Sequence, residues 1–219
     1  MKTRYCATPA IHYAKSMRHL LPLFWPTPCL LCDLPTENTR VMCDDCDKTL
    51  PRIKNMHPHD ISLFIYEPPI SNLITQFKFH GNLTIARFFA HCFCAEINTH
   101  TALPECIIPV PLHQNRLKTR GFNQALELAK PIGKRLRISV DIKTCIRIRD
   151  TKAQSSLPAL KRKTNVNNAF ALSYTPTAKH VAILDDVITT GSTMNAIAVL
   201  LKKSGVTRVD RWCCAKTNK

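Results

Sequence analysis

The stretch that most constrains the fold runs from Val181 to Thr193 and reads VAILDDVITTGST. Its first residues are apolar without alternation, which predicts a strand covered on both faces, as in a parallel sheet packed with helices. We expect this strand to end at Asp185. Apolar residues at helical spacing from Met194 to Lys203 predict a helix directly afterwards. The sequence therefore predicts an α/β fold in which acids, a hydroxyl-rich loop and a helix start lie together.

The loop between this strand and this helix is predicted to bind a phosphate. Backbone N–H groups, hydroxyls and a helix N-terminus all favour an anion, and the loop residues are Thr189, Thr190, Gly191, Ser192 and Thr193. Asp185 and Asp186 suit a ribose diol, because ionised carboxylates accept hydrogen bonds and the diol donates two. The pattern favours a ribose 5-phosphate ligand. The alternative is a buried strand that ends in a solvated acidic turn.

Two CxxC pairs near the N-terminus predict a metal site. They are separated by ten residues and consist of Cys29, Cys32, Cys43 and Cys46. Four thiolates at two turns can surround Zn²⁺ tetrahedrally and leave no open coordination position. The metal would then be structural and would replace a core that so short a segment cannot build. Disulfide pairing is the alternative.

The other cysteines indicate a reducing compartment. The chain has 11 cysteines, and several of those outside the CxxC pairs lie in apolar stretches that predict core strands or helices. Free thiols in such places favour the cytoplasm over secretion. The basic N-terminus has one short apolar run, from Leu20 to Trp25, which contains Pro22. We therefore expect a mobile arm there, neither a signal peptide nor a membrane span.

The basic residues are unevenly placed. The net charge is +16, and from Val110 to Asn168 there are 14 Lys or Arg residues against three acids. Such a field attracts polyanions, including nucleic acid, although a solvated basic face is the ordinary alternative. Cys106 to Val110 predicts a second buried strand. It is followed by a predicted loop from Pro111 to Arg120 and then by a helix.

Two further features of this region are expected. A proline inside a helix costs about 3 kcal/mol, so Pro131 should kink or break the helix after the loop. The segment from about 149 to 168 is polar, basic and poorly periodic, which predicts a long mobile loop. Such a loop could close over a ligand as a lid, or it could be a simple surface connection.

The motifs together resemble two nested families. Val181 to Thr193 resembles the phosphoribosyl pyrophosphate (PRPP) signature of type I phosphoribosyltransferases. The run PVPLHQNRLKTRGFNQ, Pro109 to Gln124, joined to RDTKAQSSL, Arg149 to Leu157, and to the CxxC pairs, resembles the ComF family of competence proteins. The patch Lys78-Phe79-His80-Gly81, which we expect to open a helix, is similar to a K-aromatic-x-G element of that family.

The resemblance implies roles for individual residues. Asp185 and Asp186 would be the catalytic acids that hold the ribose diol of Mg²⁺-bound PRPP, and Thr189 to Thr193 would wrap its 5-phosphate. The pyrophosphate would lie against a loop that contributes Pro111, Leu112, His113, Arg116 and Arg120. A flexible lid would contribute Arg149 and Arg162.

The resemblance also implies a domain organisation. Residues 1–27 would be the mobile arm, 28–55 a small module like a zinc ribbon, and 56–219 a phosphoribosyltransferase-like domain with a parallel sheet flanked by helices. Within that domain we expect a hood at about 62–104 that selects an acceptor, the pyrophosphate loop at 111–120, the lid at about 149–168 and the PRPP loop at 181–193.

Three hypotheses for function remain open. The first is a cytoplasmic protein of natural transformation that binds PRPP and handles incoming single-stranded DNA, with a competence helicase or other DNA-uptake proteins as partners. Its DNA contacts would be Arg116, Lys118, Arg120, Lys161, Arg162 and Lys163. The second is a phosphoribosyltransferase that acts on a small acceptor. The third is a PRPP sensor without turnover. The sequence does not decide between an enzyme and a binding protein.

Overall fold

A computed structural model of the chain describes residues 27–36, 40–54, 57, 59–97, 102–150 and 168–218. The chain divides into two compact units, Met1–Leu50 and Pro51–Lys219. The first contains the CxxC pairs and the second contains the strand with the two acids. The two units differ in what fills their interiors.

The small unit is built around its cysteines. At the first CxxC pair the backbone turns tightly: the amide of Asp33 donates to the carbonyl of Cys29, and the amide of Cys29 donates to Leu34. The amide of Cys43 points at the sulfur of Cys29, at 3.4 Å. Cys43 then caps the short helix α1, Asp44–Lys48, which carries Cys46. The hydroxyl of Thr36 lies within hydrogen-bonding distance of two carbonyl oxygens, that of Thr27 before the first pair and that of Arg40 in the loop between the pairs.

The large unit is organised by a five-stranded parallel sheet. Its strands are β1 (Asp60–Ile65), β2 (Cys106–Pro109), β3 (Ser139–Val140), β6 (His180–Ile188) and β7 (Arg208–Lys216), in the order β1-β7-β6-β2-β3. All neighbouring pairs are parallel. A separate antiparallel pair consists of β4 (Cys145–Arg147) and β5 (Phe170–Leu172). The strand predicted from the apolar run, β6, therefore lies in the middle of the sheet.

Helices cover both faces of this sheet. They are α2 (Ile70–His80), α3 (Leu83–Ile97), α4 (Gln114–Arg120), α5 (Gln124–Leu136) and α6 (Ser192–Lys203). On one face α3 packs on α5, and its rings contact sheet residues: Phe89 lies 6.0 Å from Phe64 and Phe93 lies 6.2 Å from Trp212 between ring centroids. On the other face α6 and β5 enclose a second apolar cluster. The predicted α/β class, a parallel sheet flanked by helices, is confirmed.

Two elements differ from their predicted bounds. β6 continues past Asp185 to Ile188, because β7 is equally long and pairs with it as far as Ile188 and Lys216. The predicted loop from Pro111 to Arg120 is a loop only as far as His113 and then becomes the helix α4. The side chain of His113 caps that helix by accepting from the amide of Asn115, and Gly121 ends it in the left-handed conformation, with φ 80°.

Two further expectations are corrected. The helix α5 runs without a break through Pro131. A proline removes one backbone hydrogen bond, and the buried face formed by Leu128, Ala129 and Ile132 holds the helix together. The Lys78 to Gly81 patch closes the helix α2 instead of opening one, because Gly81 adopts φ 62° and terminates it.

Candidate functional site

The two acids lie where β6 extends beyond the end of its neighbour β2. The last paired residues of these strands are Pro109 and Leu184, and the amide of Val110 donates to the carbonyl of Leu184. Beyond this point β6 is paired on one side only, with β7. Asp185 and Asp186 are the next residues, so their side chains stand at the open carboxyl edge of the sheet, where ligands bind in parallel α/β folds.

The two carboxylates point to opposite faces of β6, because successive strand residues alternate. Val181 and Ile183, on the face of Asp185, pack in the apolar cluster with α6. Asp186 instead faces α2, where the ammonium of Lys78 lies 2.9 Å from its Oδ2. Asp186 is almost fully buried, with 7% of its surface exposed. Lys78 therefore places a positive charge beside the acid pair.

The ionisation of Asp185 is opposed by its surroundings. Partial burial and the neighbouring carboxylate of Asp186 raise the pKa of Asp185 to about 7. Lys78, the backbone amide of Asp186 and Arg147 work in the other direction but do not cancel the rise. That amide donates to Oδ1 of Asp185 at 2.9 Å. Near neutral pH, Asp185 is therefore poised between its neutral and charged forms.

The hydroxyl-rich loop lies at the N-terminus of the twelve-residue helix α6. Gly191 caps the helix with φ 73°, a backbone conformation that a side chain would strain. The hydroxyls of Thr190 and Ser192 lie 2.7 Å apart. The Oγ1 of Thr190 accepts from the amide of Ser192, the first residue of α6, at 3.4 Å. The first amides of α6 and these hydroxyls together form a concentration of donors that suits an anion.

A cleft of about 680 Å³ opens beside this loop. It is lined by Thr189, Thr190 and Gly191 of the loop, and by cationic and polar residues that include Arg52, Lys54, Asn195, Arg211 and Lys216. Its acidic lining residue, Asp60, is already paired with Arg211 at 2.6 Å. The cleft is therefore basic. The two acids of β6 are not among the residues that line it.

The region predicted to hold pyrophosphate contains an acid as well as cations. Oδ2 of Asp150 accepts from the side-chain amide of Asn115 at 3.0 Å, and its carboxylate lies 3.6 Å from both His113 and Arg116. Pro111 and Leu112 are half-buried. Asp150 thus ties the start of α4 to the chain that follows β4.

Arg147 joins this group to the acid pair. Burial and the like charge of Arg116 lower the pKa of the Arg147 guanidinium, while Asp150 and Asp185 raise it. Its guanidinium also lies over the ring of Phe170, 5.4 Å from the centroid. Arg147 therefore interacts electrostatically with Arg116, Asp150 and Asp185.

The RGFNQ motif has a structural explanation at each position. Arg120 donates to the side-chain oxygen of Gln124 at 2.8 Å, and Gly121 ends α4. Phe122 packs against Phe77 at 5.9 Å. Asn123 caps α5 and also donates to the carbonyl of Val110 at 3.1 Å. The motif therefore fixes α4 and α5 relative to the end of β2.

The four cysteines of the small unit form one cluster. Their sulfurs all lie within 4.8 Å of one another, and those of Cys32 and Cys43 are 3.7 Å apart. Four sulfurs at 2.3 Å from a central zinc ion would lie about 3.8 Å apart. Burial and neighbouring thiols raise the pKa of Cys32 to about 11, and backbone amides lower that of Cys29 to about 7 against the effect of burial. The cluster could bind a structural metal.

Not every predicted site residue is described. Lys161, Arg162 and Lys163 and most of the predicted lid lie outside the described residues. Arg149 and Lys118 are exposed. Lys78, Arg147 and Asp150 are the site residues that the sequence did not assign. The signal for Lys78 was its place in the K-aromatic-x-G patch, whereas the other two were hidden in a basic segment without periodicity.

Among the described residues, no helix combines the length and the apolar character that crossing a bilayer requires.

Solved structures with a similar arrangement are phosphoribosyltransferases of low sequence identity. The adenine phosphoribosyl transferase from Trypanosoma brucei, in complex with AMP, pyrophosphate and ribose-5-phosphate, is 16% identical, with a TM-score of 0.40; the match covers 75% of this chain and 62% of that one. The adenine phosphoribosyltransferase from Leishmania tarentolae is 13% identical, with a TM-score of 0.41, over 72% of this chain and 77% of that one.

Sequence relatives are more informative. No protein-family model matches the chain. The DNA utilization protein YhgH of Escherichia coli K12 is 36% identical over 196 residues, which cover 87% of this chain and 85% of the relative. Competence protein F of Haemophilus influenzae is 37% identical over 182 residues, which cover 80% and 78%. Competence protein ComFC of Streptococcus pneumoniae is 24% identical over 75% and 82%.

Identity above 30% over more than two thirds of both chains, together with the motifs that the structure places at one sheet edge, establishes the relationship. The chain belongs to the ComF family of competence proteins.

Proposed function

We propose that this competence protein binds PRPP, or a related ribose 5-phosphate, at the end of β6 and handles incoming single-stranded DNA in the cytoplasm. The observation that carries the proposal is the acid pair on β6, followed at once by a hydroxyl-rich loop and the N-terminus of α6. The acid pair can bind the hydroxyls of a sugar, and the loop with the helix N-terminus can bind a phosphate.

The phosphate end of the ligand lies against residues Thr189 to Thr193. The amides of the first turn of α6 and the positive end of its dipole favour an anion there. The hydroxyls of Thr190 and Ser192 are close enough to each other, at 2.7 Å, to serve one phosphate group. The conformation of Gly191 keeps the backbone accessible.

The sugar end lies against Asp185 and Asp186. Both carboxylates accept hydrogen bonds from the diol when they are ionised, and Lys78 offsets one of the two negative charges. This compensation matters because PRPP is itself an anion. Mg²⁺ bound to PRPP would neutralise part of the charge on its pyrophosphate group.

The pyrophosphate end lies against the start of α4. Pro111, Leu112 and His113 form the loop there, and Arg116 and Arg120 supply positive charge from the helix. Asp150 lies near Arg116 and His113 and must yield to the ligand for these cations to bind pyrophosphate. Arg149 and Arg162, in the predicted lid, add positive charge on closure.

The small unit binds a structural zinc ion. Thiolates are ligands that zinc prefers, and four of them leave no vacant position for catalysis. The observed sulfur separation of 3.7 Å agrees with that of a tetrahedral site. Without a metal, burial and neighbouring thiols raise the pKa of Cys32 and Cys46, so zinc binding releases their protons and should strengthen as pH rises.

The DNA role is supported by charge and by the names of the relatives, which refer to DNA utilization and competence. Arg116, Lys118 and Arg120 lie on α4 and would contact the phosphodiester backbone, together with Lys161, Arg162 and Lys163. The free thiols buried in strands and helices support a reducing cytoplasm. A competence helicase or other DNA-uptake proteins would be the partners.

The ligand part is tested by thermal unfolding with Mg²⁺ and PRPP. A ligand at 100 times its dissociation constant stabilises the folded state by about 2.7 kcal/mol. Ser192→Asp should abolish this stabilisation, because a carboxylate at the start of α6 favours the helix but repels a phosphate. Ser173→Asp adds the same charge outside the loop and should retain the stabilisation. Unchanged stabilisation in Ser192→Asp would refute phosphate binding at this loop.

The DNA part is tested by affinity for single strands as a function of salt. Replacing Arg116, Lys118 and Arg120 by Ala should weaken binding and make the salt dependence shallower. Replacing Lys134, Lys202 and Lys203 by Ala removes the same charge elsewhere and should have less effect. Absence of DNA binding by the unaltered protein at low salt would refute this role.

Turnover is tested separately, by pyrophosphate release from PRPP. Release that requires single-stranded DNA would assign transfer to the DNA role. Release with a small nucleobase alone would favour a phosphoribosyltransferase of nucleotide metabolism, and binding without release would favour a PRPP sensor.

A further inference from the structure

The K-aromatic-x-G patch at the end of α2 holds an exposed aromatic ring. Phe79 is 70% exposed, which makes it the most exposed large apolar side chain among the described residues. A single exposed apolar side chain is common on protein surfaces and by itself means little. What distinguishes Phe79 is the chemistry on either side of it.

On one side, Phe79 adjoins the sugar-binding edge. Lys78, the preceding residue, forms the ion pair with Asp186. Phe77, one residue earlier, is fully buried and packs on Phe122. The last turn of α2 is therefore anchored by a buried ring and by an ion pair, and Phe79 follows directly after the lysine that pairs with Asp186.

On the other side, Phe79 adjoins the cationic helix α4. The guanidinium carbon of Arg120 lies 5.9 Å from the centroid of the Phe79 ring, within the range of a cation–π contact. Arg120 is held in place because it also donates to Gln124. The ring is therefore flanked by a fixed cation, yet most of its surface remains open to solvent.

We propose that Phe79, flanked by Arg120, is a stacking platform for an unpaired nucleobase next to the sugar-phosphate site. Single-strand binding combines aromatic rings, on which bases stack, with cations that follow the phosphates. Phe79 supplies the ring, and Arg120 and Lys118 supply the charge. The inference rests on the proposed function for its ligand class, and it assigns the recognition of the base to a residue outside the PRPP signature.

The base can come from a DNA strand or from a free nucleoside, and the probes separate these sources. They are an oligothymidylate, a strand of the same length without bases, and thymidine. Phe79→Trp places a fluorescent ring at the platform, and its signal is read as the difference from the unaltered protein, which has two tryptophans. Quenching by the oligothymidylate, but not by the strand without bases, would support the platform. Equal responses to both strands would overturn it.

The affinity test uses variants that leave the fold intact, since Phe79 is exposed. Stacking on an aromatic side chain contributes about 1–3 kcal/mol per base, so Phe79→Ala should weaken oligothymidylate binding by about 5- to 150-fold. Phe79→Leu keeps apolar bulk without the ring and should weaken it similarly. Val199→Ala removes an exposed apolar side chain about two turns along α6 from the loop and should change nothing.

Failure of the platform can be told apart from failure of the proposed function. Unchanged DNA affinity in Phe79→Ala would overturn the platform while DNA binding by the unaltered protein stands. If the unaltered protein binds no strand at low salt, the DNA role is refuted. Quenching of Phe79→Trp by thymidine would then still support the platform, and its absence would overturn it. The thermal shift with Mg²⁺ and PRPP should be the same in Phe79→Ala as in the unaltered protein.

Discussion

Each unit of this protein contains a cluster of polar side chains, and the two clusters have opposite effects on stability. The four cysteines should stabilise the small unit, whereas the acid pair should destabilise the large one. In the small unit the cluster is the interior: Cys29 and Cys46 are almost fully buried, and only Met42 and Leu50 join them as buried apolar side chains in its described part. In the large unit the interior is apolar on both sides of a sheet, and the acids stand at its edge. The same kind of feature thus holds one unit together and is tolerated by the other.

The difference follows from size. A short segment buries too little apolar surface to offset its conformational entropy, so we expect a bound metal to supply the missing free energy. In a domain with a complete core, the stabilisation from apolar burial exceeds the cost of a destabilising charge at a binding site. Substituting a cysteine of the small unit should therefore lower its stability, whereas substituting Asp185 should raise the stability of the large unit.

The largest effect is expected in the small unit. Cys46→Ser should abolish zinc binding and unfold this unit, because metal binding contributes on the order of 10 kcal/mol to such folds. Zinc content and proteolysis within residues 27–50 measure the outcome. Cys145→Ala is the matched control, since Cys145 is a buried cysteine of the large unit. It should keep the zinc. Retention of zinc by Cys46→Ser would contradict the assignment.

The next effect concerns the apolar core of the large unit. Ile183 is fully buried between the sheet and α6, so Ile183→Ala should lower the free energy of unfolding by about 2–5 kcal/mol. Denaturant titration measures this loss. Zinc content should not change, because the small unit does not depend on this core. Joint loss of zinc and stability would show that the two units fold as one.

A smaller effect is expected at the ion pair between Lys78 and Asp186. Lys78→Met should lower the free energy of unfolding by about 1–3 kcal/mol, since a mostly buried carboxylate loses its counter-charge. The additional substitution Asp186→Asn should recover part of this loss. Denaturant titration of both variants is the measurement, and the absence of recovery would show that Lys78 acts through packing alone.

The smallest effect, counted per pH unit, is a pH dependence of the free energy of unfolding, in which the charge of Asp185 destabilises the folded state. The folded state keeps a proton on Asp185 up to about pH 7, whereas the unfolded chain releases it near 3.8. Between these values the free energy of unfolding should therefore fall as pH rises, by at most about 1.4 kcal/mol per pH unit. Asp185→Asn should remove this slope and be more stable than the unaltered protein at pH 8, while losing the response to PRPP. Parallel pH curves would contradict this.

Much of this architecture could be predicted from local patterns. The apolar run of β6, the loop at Gly191 and the start of α6 are features of consecutive residues, so periodicity and turn chemistry reveal them. The four cysteines were predictable for the same reason, since ligand spacing is a local property. The break at Pro131 was wrong because the buried face of α5 outweighs one lost hydrogen bond.

The ends of strands and helices that depend on contacts with other elements could not be predicted from the local sequence pattern. The strand was expected to end at Asp185, but its true end at Ile188 is set by the length of β7. The whole of α4, Gln114–Arg120, was predicted as loop because His113 and Gly121, its cap and its terminator, are recognisable only once the helix exists.

The sequence by itself determined which chemistries this protein carries: a thiol cluster, a pair of adjacent acids and a loop rich in hydroxyls. These are fixed by residue type and spacing along the chain. Only the tertiary structure decided that Lys78 lies against Asp186, that Arg120 lies over Phe79 and that Arg147 influences Asp185. Each of these contacts joins residues far apart in the chain. They arise because the parallel sheet gathers the ends of separate strands and helices at one edge, and no local pattern encodes that proximity.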